Sequence, residues 1–201
     1  GAPALLHGYF EVELGLVLLA LALLWRSRRL GVAWIGAALL VLTAAVATGA
    51  WRVQVATASA IELGRNFYGV VRVLEYATEV PGELERELIH GRVMHGHQFI
   101  NGERRRQPTG YYGVHSGVGR LFRALADRPI AVGAVGLGAG TIAAYGKPGD
   151  RYRFYEIDEA IVAAAHRHFS FLADSQAKVE VALGDGRLLL QAEADRRHDV
   201  L

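Results

Sequence analysis

The fold of this chain is decided by the stretch Ile130-Ala-Val-Gly-Ala-Val-Gly-Leu-Gly-Ala-Gly-Thr141, a short apolar run that leads into closely spaced glycines. A continuous apolar run is typical of a parallel strand that is buried on both faces. The glycines that follow it, Gly136, Gly138 and Gly140, predict a tight turn whose backbone is exposed to a ligand, with a helix after it. The pattern predicts that a ribose or a phosphate binds at this turn.

Two later strands also end in polar ligand-type residues: Tyr152-Arg-Phe-Tyr-Glu-Ile-Asp158, and Val179-Glu-Val-Ala-Leu183 followed by Gly184-Asp-Gly-Arg187. Glu156 and Asp158 stand about twenty residues after Gly136, which is the spacing at which a carboxylate meets a nucleotide ribose. Asp185 follows the next strand. The carboxyl ends of parallel strands meet at one edge of the sheet, where ligands of open α/β sheets bind. The three strand ends therefore predict a nucleoside site.

The spacing of the glycines distinguishes between two kinds of nucleotide. A plain dinucleotide-binding turn requires glycine where Thr141 stands, and the set Gly138, Gly140 and Ala143 matches that pattern less well. A single adenosine is therefore favoured. Glycine in such a turn can also serve the backbone geometry alone, and this alternative is weakened by the acidic ends of the neighbouring strands. Strand and helix alternate from residue 129 onward, with 159–171 as the clearest helix, which predicts a parallel sheet.

The apolar residues are concentrated at the N-terminus. Of the 201 residues 52% are hydrophobic, the formal net charge is only +2, and cysteine is absent. This composition excludes disulfides and thiolate sites and gives no indication of nucleic-acid binding. Residues 30–51 carry no charge over the roughly twenty residues that span a bilayer, which predicts a transmembrane helix. The shorter apolar stretch 14–24 predicts the end of another span.

Two observations conflict over the topology of this membrane region, residues 1–51. The arginines between the apolar stretches favour a cytoplasmic connection, so that one further crossing would place the rest of the chain outside. Adenosine cofactors, however, are cytoplasmic. We therefore expect a multi-pass protein of the cell membrane with a cytoplasmic soluble part. The chain starts without methionine and stops inside a predicted fourth strand, Asp199-Val-Leu201, so a longer protein is expected at both ends.

For residues 52–128 the sequence pattern predicts a linker and a small β domain. β-branched and aromatic residues dominate 66–76, which predicts a strand. A second run, 87–100, predicts a strand that turns at Asn101-Gly102, a strong hairpin signal, and returns through 103–107. A segment rich in glycine and aromatic residues, 108–119, precedes a helix predicted over 120–126.

Several histidines and arginines in this region are candidate ligands. Alternation on a strand predicts that His95 and His97 share one face, with His90 nearby. Metal binding would need a further ligand in space and acidic surroundings, so these histidines are interpreted as polar strand residues and no metal is predicted. The triplet Arg104-Arg-Arg106 is interpreted as a solvated edge that discourages strand pairing, with an anion site as the alternative.

Several motifs follow one another after the apolar region: Arg65-Asn-Phe-Tyr-Gly69, His90-Gly91, His95-Gly-His-Gln98, Pro108-Thr-Gly-Tyr-Tyr-Gly113, Ser116-Gly-Val-Gly119, Gly136-Leu-Gly-Ala-Gly-Thr141, Phe154-Tyr-Glu-Ile-Asp158 and Gly184-Asp-Gly-Arg187. Together, and in this order, they resemble the bacterial membrane-fused spermidine synthase family. The resemblance implies N-terminal transmembrane helices, a small β-hairpin domain and, over 129–201, a Rossmann-like α/β domain of the adenosylmethionine-dependent type. It implies transfer of an aminopropyl group from decarboxylated S-adenosylmethionine to a polyamine.

The resemblance also implies roles for residues of the donor site. Glu156 would hold the ribose hydroxyls, with Asp158 beside it, and Asp185 followed by Gly186 would bind the adenine amino group. The turn from Gly136 through Gly138 to Gly140 would pass under the nucleoside.

Further roles concern the donor pocket and the acceptor. Gln98 would line the donor pocket, and Tyr111 or Tyr112 would shape the amine site, although packing between domains is an equal interpretation of the tyrosines. The general base would be an aspartate beyond Leu201, so no catalytic base is assigned. The expected partners are a small polyamine and membrane lipid, with the oligomeric state open.

Two positions depart from soluble spermidine synthases. Ala139 stands where an aspartate binds the aminopropyl nitrogen of the donor, and Gly113 stands where a glutamate follows the tyrosine if Tyr111 is the match. These departures keep two alternatives open. One is a methyltransferase that uses S-adenosylmethionine itself, and the other is a non-catalytic regulatory domain of a membrane transporter.

Overall fold

The computed structural model describes residues 11–26 and 32–201 of the chain. Contacts between residues divide the chain into two compact units, with the boundary between Ser59 and Ala60. The predicted small β domain and the predicted nucleoside-binding domain therefore belong to one unit, apart from the short segment 52–59.

Two helices make up the described part of the N-terminal unit, α1 (Glu11–Arg26) and α2 (Val32–Thr57), and they pack against each other. Side chains that are buried there are small, whereas most of the large apolar side chains are exposed. The segment Ile35–Val55 has a mean hydropathy of 1.5 and is, among the described residues, the one segment long and apolar enough to cross a membrane by length and composition. The helix predicted over 30–51 is thus present but continues to Thr57. Helix α1, which covers the second predicted span, has 16 residues and does not meet that length.

The second unit begins with an antiparallel sheet of four strands in the order β1-β2-β3-β4: β1 (Ala60–Arg65), β2 (Val70–Ala77), β3 (Leu84–His90) and β4 (Val93–Phe99). Strand β2 confirms the strand predicted over 66–76. The run 87–100 was predicted as one strand, and this prediction was wrong, because the chain reverses between β3 and β4. Gly91 makes this reversal with a left-handed backbone angle, φ 63°.

The hairpin predicted at Asn101-Gly102 is not formed, and the side chain of Asn101 explains why. Its Oδ1 accepts a hydrogen bond from the backbone N–H of Leu84 at 2.8 Å, and its Nδ2 donates to the carbonyl of Gly82. Asn101 is therefore tied to the start of β3 and marks the end of the sheet. The residues after Gly102 form a 3₁₀ helix, Glu103–Arg106, in place of the predicted returning strand.

All three arginines of this 3₁₀ helix are exposed, as their interpretation as a solvated edge expects, and Arg104 and Arg105 also make specific contacts. The Nε of Arg104 donates to Glu83 at 2.9 Å, and its guanidinium lies 3.8 Å from the centre of the Phe99 ring. The Nε of Arg105 lies 2.9 Å from a carboxylate oxygen of Asp174. These contacts fix the segment after β4 against the rest of the unit.

A parallel sheet follows in the order β5-β6-β7: β5 (Ala131–Val135), β6 (Arg151–Glu156) and β7 (Lys178–Leu183). Val200 forms a parallel bridge with Val132 on the free side of β5, where the fourth strand was predicted to begin. The connecting helices are α3 (Gly117–Ala124), α4 (Glu159–His168), α5 (Phe171–Asp174) and α6 (Gly186–Ala192). The helix predicted after the glycine turn is a short 3₁₀ helix, Thr141–Tyr145. The predicted mixed α/β class with a parallel sheet is confirmed.

The core of this unit is built around the central strand β6. Tyr152 and Phe154 are each 1% exposed, and the ring of Phe122 from α3 stacks at 6.0 Å from that of Tyr152. Phe122 also stacks on Tyr145 at 4.8 Å. Because burial on this scale holds the strand in place, the residues at its carboxyl end project from a fixed position.

Several contacts join the antiparallel sheet to the parallel part. Glu62 of β1 lies 2.6 Å from Arg167 of α4, and Arg86 of β3 donates to the carbonyl of His168 at 2.9 Å. Strand β4 also approaches the glycine turn after β5 closely, as described below. The two sheets therefore face each other across a cleft.

Candidate functional site

A cleft of about 400 Å³ opens at the carboxyl ends of β5 and β6, on the side that faces the antiparallel sheet. Its lining combines acidic, imidazole and phenol groups with a glycine-rich backbone: Tyr68, His90, His95, Tyr111, Tyr112, Val135, Gly136, Leu137, Gly138, Thr141, Ile142, Glu156, Ile157, Asp158 and Ile161. The edge of the sheet predicted from the sequence is thus the edge that carries the cleft.

The glycines of the turn have different roles. A Cβ on Gly136 would meet no atom within 4 Å, so at this position the backbone faces open space. A Cβ on Gly138 would lie 2.4 Å from the carbonyl oxygen of His95, and its φ of 56° is left-handed, so only glycine allows β4 to approach this closely. Gly140 packs on Leu172 and does not line the cleft.

Glu156 is held rigidly at the end of β6. The residue is only 8% exposed. Both of its carboxylate oxygens accept hydrogen bonds from backbone N–H groups. Oε2 accepts from the N–H of Leu137 at 2.8 Å, and Oε1 accepts from the N–H of Asp158 at 2.9 Å. A carboxylate oxygen has room for a second hydrogen bond. Glu156 can therefore accept from two neighbouring hydroxyl groups of a ligand in the cleft.

Asp158, which was predicted to lie beside the ribose, makes structural contacts with one of its two oxygens. Its Oδ1 caps α4 by accepting from the N–H of Ala160 at 2.9 Å, and it also accepts from Nδ2 of Asn66 at 2.5 Å. Asn66 is itself oriented because its Oδ1 accepts from the N–H of Tyr68 at 2.9 Å. Sequence reasoning assigned no role to Asn66, although it lies in one of the quoted motifs, Arg65-Asn-Phe-Tyr-Gly69.

The histidines of the antiparallel sheet are separated by a β-bulge. In the β3–β4 pairing Leu88 faces Gly96 and Ile89 faces Met94, so His95 is the extra residue. A bulge re-aims the side chain that it contains. His95 lines the cleft with its ring 5.8 Å from that of His90, whereas Nδ1 of His97 pairs with Glu85. The prediction that His95 and His97 share one face of the strand was therefore wrong.

His95 has the electrostatic character of a neutral imidazole. Burial lowers its pKa from the ordinary value, and a charge on His90 lowers it further, while the Glu156 carboxylate acts in the opposite direction. Because an ordinary histidine is already mostly neutral at pH 7, His95 is neutral there. Within the described residues, no group of three or more His, Cys, Asp or Glu side chains is arranged to hold a metal ion.

The predicted tyrosines lie in the cleft. Tyr111 and Tyr112 form a 3₁₀ helix, Gly110–Tyr112, and their ring centres are 4.5 Å apart. Burial raises the pKa of Tyr112, with Tyr111 as a secondary cause, so the phenol stays protonated at neutral pH. The carbonyl of Tyr112 accepts from the hydroxyl of Tyr145 at 2.5 Å, which fixes this wall of the cleft. Aromatic faces next to carboxylates suit a cationic ligand.

Gln98 does not take the place predicted for it. The residue is fully buried, its Nε2 donates to Oγ of Ser170 at 2.7 Å, and its Oε1 accepts from the N–H of Ser170 at 2.9 Å. It also donates to the carbonyl of Arg105 at 2.9 Å. Gln98 therefore links β4 to the start of α5, and the side chain of β4 that lines the cleft is His95.

Asp185 and Gly186 stand at the same edge of the sheet but outside the lining of the cleft. Asp185 is the N-cap of α6, and its Oδ1 accepts from the N–H of Leu188 at 3.0 Å. A Cβ on Gly186 would lie 2.9 Å from Val135, so this glycine allows α6 to pack on β5. The N–H of Gly184 donates to the carbonyl of Glu156 at 2.7 Å, which makes the end of β7 the direct neighbour of Glu156.

Position 139, where soluble spermidine synthases carry an aspartate, is part of the packing between β4 and the glycine turn. Ala139 is 1% exposed, and a Cβ on Gly96 would lie 2.7 Å from its Cβ. The side chain at this position is thus directed at β4. Of the predicted site residues, the structure brings together in the cleft Gly136, Gly138, Glu156, Asp158, Tyr111 and Tyr112.

The fold and the cleft define a mixed α/β protein with a carboxylate-lined site at the carboxyl edge of a parallel sheet. Comparisons of the chain with known protein families, with curated proteins and with solved structures gave no match.

Proposed function

We propose that this protein is a spermidine-synthase-like transferase that binds an adenosyl sulfonium donor in the cleft and moves its aminopropyl group to a polyamine. The observation that carries the proposal is the placement of Glu156. Two backbone N–H groups hold its carboxylate at the end of a central parallel strand, beside the open backbone of Gly136. This is the arrangement in which a carboxylate accepts from the vicinal hydroxyls of a ribose.

The order of the parallel strands supports a Rossmann-like arrangement for this part of the chain. From one side to the other the order is β7, β6, β5 and then the bridge at Val200, so the chain builds outward from β5 in both directions. In open α/β sheets, ligands bind outside the carboxyl ends of the strands, where the order reverses. The cleft lies at the carboxyl ends of β5 and β6, next to this reversal.

The cleft also suits the chemistry of aminopropyl transfer. The donor is a sulfonium cation and the acceptor is an ammonium ion in water, so both partners are attracted by Glu156, Asp158 and the tyrosine faces. The acceptor must lose a proton before its nitrogen can attack. Buried polar atoms with no hydrogen-bond partner, Oγ1 of Thr141 and Oδ2 of Asp158, belong to residues lining the same cleft. Such atoms are costly in a merely structural or regulatory module.

One observation favours a second candidate, an S-adenosylmethionine-dependent methyltransferase. Ala139 is packed against Gly96, so position 139 offers no group to bind the amino end of a decarboxylated donor. A methyltransferase would keep the ribose contact of Glu156. In S-adenosylmethionine a carboxylate lies beside the same amino group, so the methionine end has no net charge and depends less on an acidic partner at position 139.

Titration calorimetry with the detergent-solubilised protein separates these candidates. We expect decarboxylated S-adenosylmethionine to bind, and its mixture with a diamine to yield the aminopropylated amine by mass spectrometry. Binding of S-adenosylmethionine alone, with methyl transfer to an added acceptor, would establish the methyltransferase instead. If neither donor binds, both enzymatic proposals are wrong and the regulatory alternative stands.

We propose further that Ile35–Val55 crosses the cell membrane as part of a multi-pass region and that Ala60–Leu201 lies in the cytoplasm. Exposed leucines, valines and tryptophans on the N-terminal helices support contact with lipid. Because the chain has no cysteine, an exposed Glu79→Cys substitution supplies a single reporter. We expect a membrane-impermeant maleimide to label it only after permeabilisation of cells, with the unsubstituted protein as the blank. Labelling of intact cells would place this unit outside.

A further inference from the structure

Two polar atoms at the wall of the cleft are buried, adjacent and without hydrogen-bond partners. They are Oδ2 of Asp158 and Nε2 of His90, and they lie 3.7 Å apart. This separation is too long for a hydrogen bond, but a small rotation of the imidazole would close it. Since leaving buried polar atoms unpaired costs free energy, a pair that faces each other in a cleft indicates a function.

The carboxylate of this pair is fixed in position. Asp158 is 1% exposed, and its Oδ1 is held by the N-terminus of α4 and by Asn66, which comes from a segment 92 residues earlier in the chain. Only Oδ2 is left to face His90. The Asn66 amide and the helix cap therefore aim this oxygen at the imidazole.

The imidazole is held so that one edge is buried and another is accessible. The His90 side chain is 22% exposed although its Nε2 is inaccessible to solvent. The accessible part of the ring therefore lies away from Nε2. With the Nε2 proton directed at the Asp158 carboxylate, Nδ1 is the nitrogen that carries a free lone pair.

We propose that His90 is the proton acceptor for the amine substrate, and that Asp158 and Asn66 are positioning residues that set its tautomer and orientation. This inference rests on the proposed aminopropyl transfer. It assigns the base to a residue within the described cleft, whereas the resemblance implied an aspartate beyond Leu201.

The step balances in atoms and charge. The substrate ammonium gives one proton to Nδ1 of His90 and becomes a neutral amine. The nitrogen lone pair then forms a bond to the donor carbon next to the sulfonium, the carbon–sulfur bond breaks, and its electron pair stays on sulfur as a neutral thioether. The product is a secondary ammonium ion. His90 carries the proton as an imidazolium ion stabilised by the Asp158 carboxylate, and releases it to solvent.

Other groups that line the cleft are less suited to this role. Both oxygens of Glu156 are bound to backbone N–H groups and directed at the proposed ribose position. His95 lies near the Glu156 carboxylate, but burial and the neighbouring His90 outweigh that carboxylate and lower the pKa of His95, which makes it a weaker proton acceptor. Tyr112 stays protonated because burial raises its pKa. His90 is the group that combines access with a carboxylate behind it.

Kinetics of four variants test the inference. We expect His90→Gln to lower kcat roughly 10²- to 10⁴-fold, the range for loss of a general base, while the Kd of the donor measured by calorimetry stays within about threefold. Asp158→Asn should lower kcat and displace the acidic limb of its pH profile to lower pH, because the carboxylate that stabilises the protonated imidazole is lost. Asn66→Ala, which removes no charge, should lower kcat with a smaller displacement, and a purely structural defect would leave the limb in place. Addition of imidazole to His90→Ala should restore part of the rate.

A matched control is available on the neighbouring strand. His97 also pairs with a glutamate, Glu85, and lies outside the lining of the cleft, so His97→Gln should keep its rate and its pH profile. If His90→Gln binds donor and transfers at the rate of the unsubstituted protein, the inference is wrong while the proposed function stands. If the unsubstituted protein neither binds the donor nor transfers an aminopropyl group, the proposed function is wrong and the inference fails with it.

Discussion

The substitution Glu156→Gln is expected to weaken binding of decarboxylated S-adenosylmethionine by roughly 10²- to 10⁴-fold, from the loss of two hydrogen bonds to a charged acceptor at about 1.5–3 kcal/mol each. Both carboxylate oxygens accept from backbone N–H groups, those of Leu137 and Asp158. The glutamine side chain has only one oxygen, so its NH₂ group would face one of these two backbone N–H groups, and two donors cannot form a hydrogen bond with each other. The variant therefore loses the charge and also the geometry that presents two acceptors to a ribose.

The measurement is calorimetry at a protein concentration that can detect millimolar binding, together with thermal unfolding to show that the variant is folded. Glu180→Gln serves as the control, because Glu180 is a carboxylate on the next strand that pairs with Lys178 and Arg196 and does not line the cleft. We expect its affinity for the donor to be unchanged. Unaltered donor binding by Glu156→Gln would remove the observation on which the proposed function rests.

The residues of the parallel sheet could be predicted from the sequence because their signal is local. Apolar runs bounded by glycine or acidic residues defined three strands, and the structure places them in one parallel sheet. The carboxyl edge of such a sheet follows from its geometry. Glu156 and Gly136 were thereby predicted to lie together without knowledge of any long-range contact.

The other wall of the cleft depends on contacts that a local pattern does not reveal. The Asn101-Gly102 pair has the local signal of a hairpin, but hydrogen bonds to Gly82 and to Leu84 at the start of β3 decide its role. The bulge at His95 depends on the pairing of β4 with β3, and His95 lines the cleft. Gln98 is kept away from the lining by its hydrogen bonds to Ser170 and Arg105. Loop and bulge geometry of this kind is set by tertiary contacts.

The role of Asn66 in the site could not be predicted from the sequence for the same reason. Its role comes from a hydrogen bond to Asp158 across 92 residues of sequence, so neither residue indicates the other in a linear pattern. The motif around Asn66 supported the family resemblance, but the resemblance did not say what the asparagine does. The structure links it to the carboxylate that faces His90.

The substitution Ala139→Asp, which introduces the aspartate of the soluble spermidine synthases, is expected to destabilise the protein by about 4 kcal/mol or more and not to improve donor binding. Ala139 is 1% exposed and lies against Gly96, where an added Cβ would already approach it to 2.7 Å. A carboxylate at this position would be buried without a partner and would push β4 away from the glycine turn. Since β4 carries His95, this displacement would also open the cleft.

Thermal or denaturant unfolding of the purified protein measures this loss, and Ala194→Asp provides the matched control. Ala194 is exposed, so the same change of chemistry there should alter the free energy of unfolding by no more than about 0.5 kcal/mol. An Ala139→Asp variant that unfolds like the unsubstituted protein and binds the decarboxylated donor more tightly would contradict the packing of this position. The expected result, in contrast, would mean that the amino end of the donor is recognised by other groups.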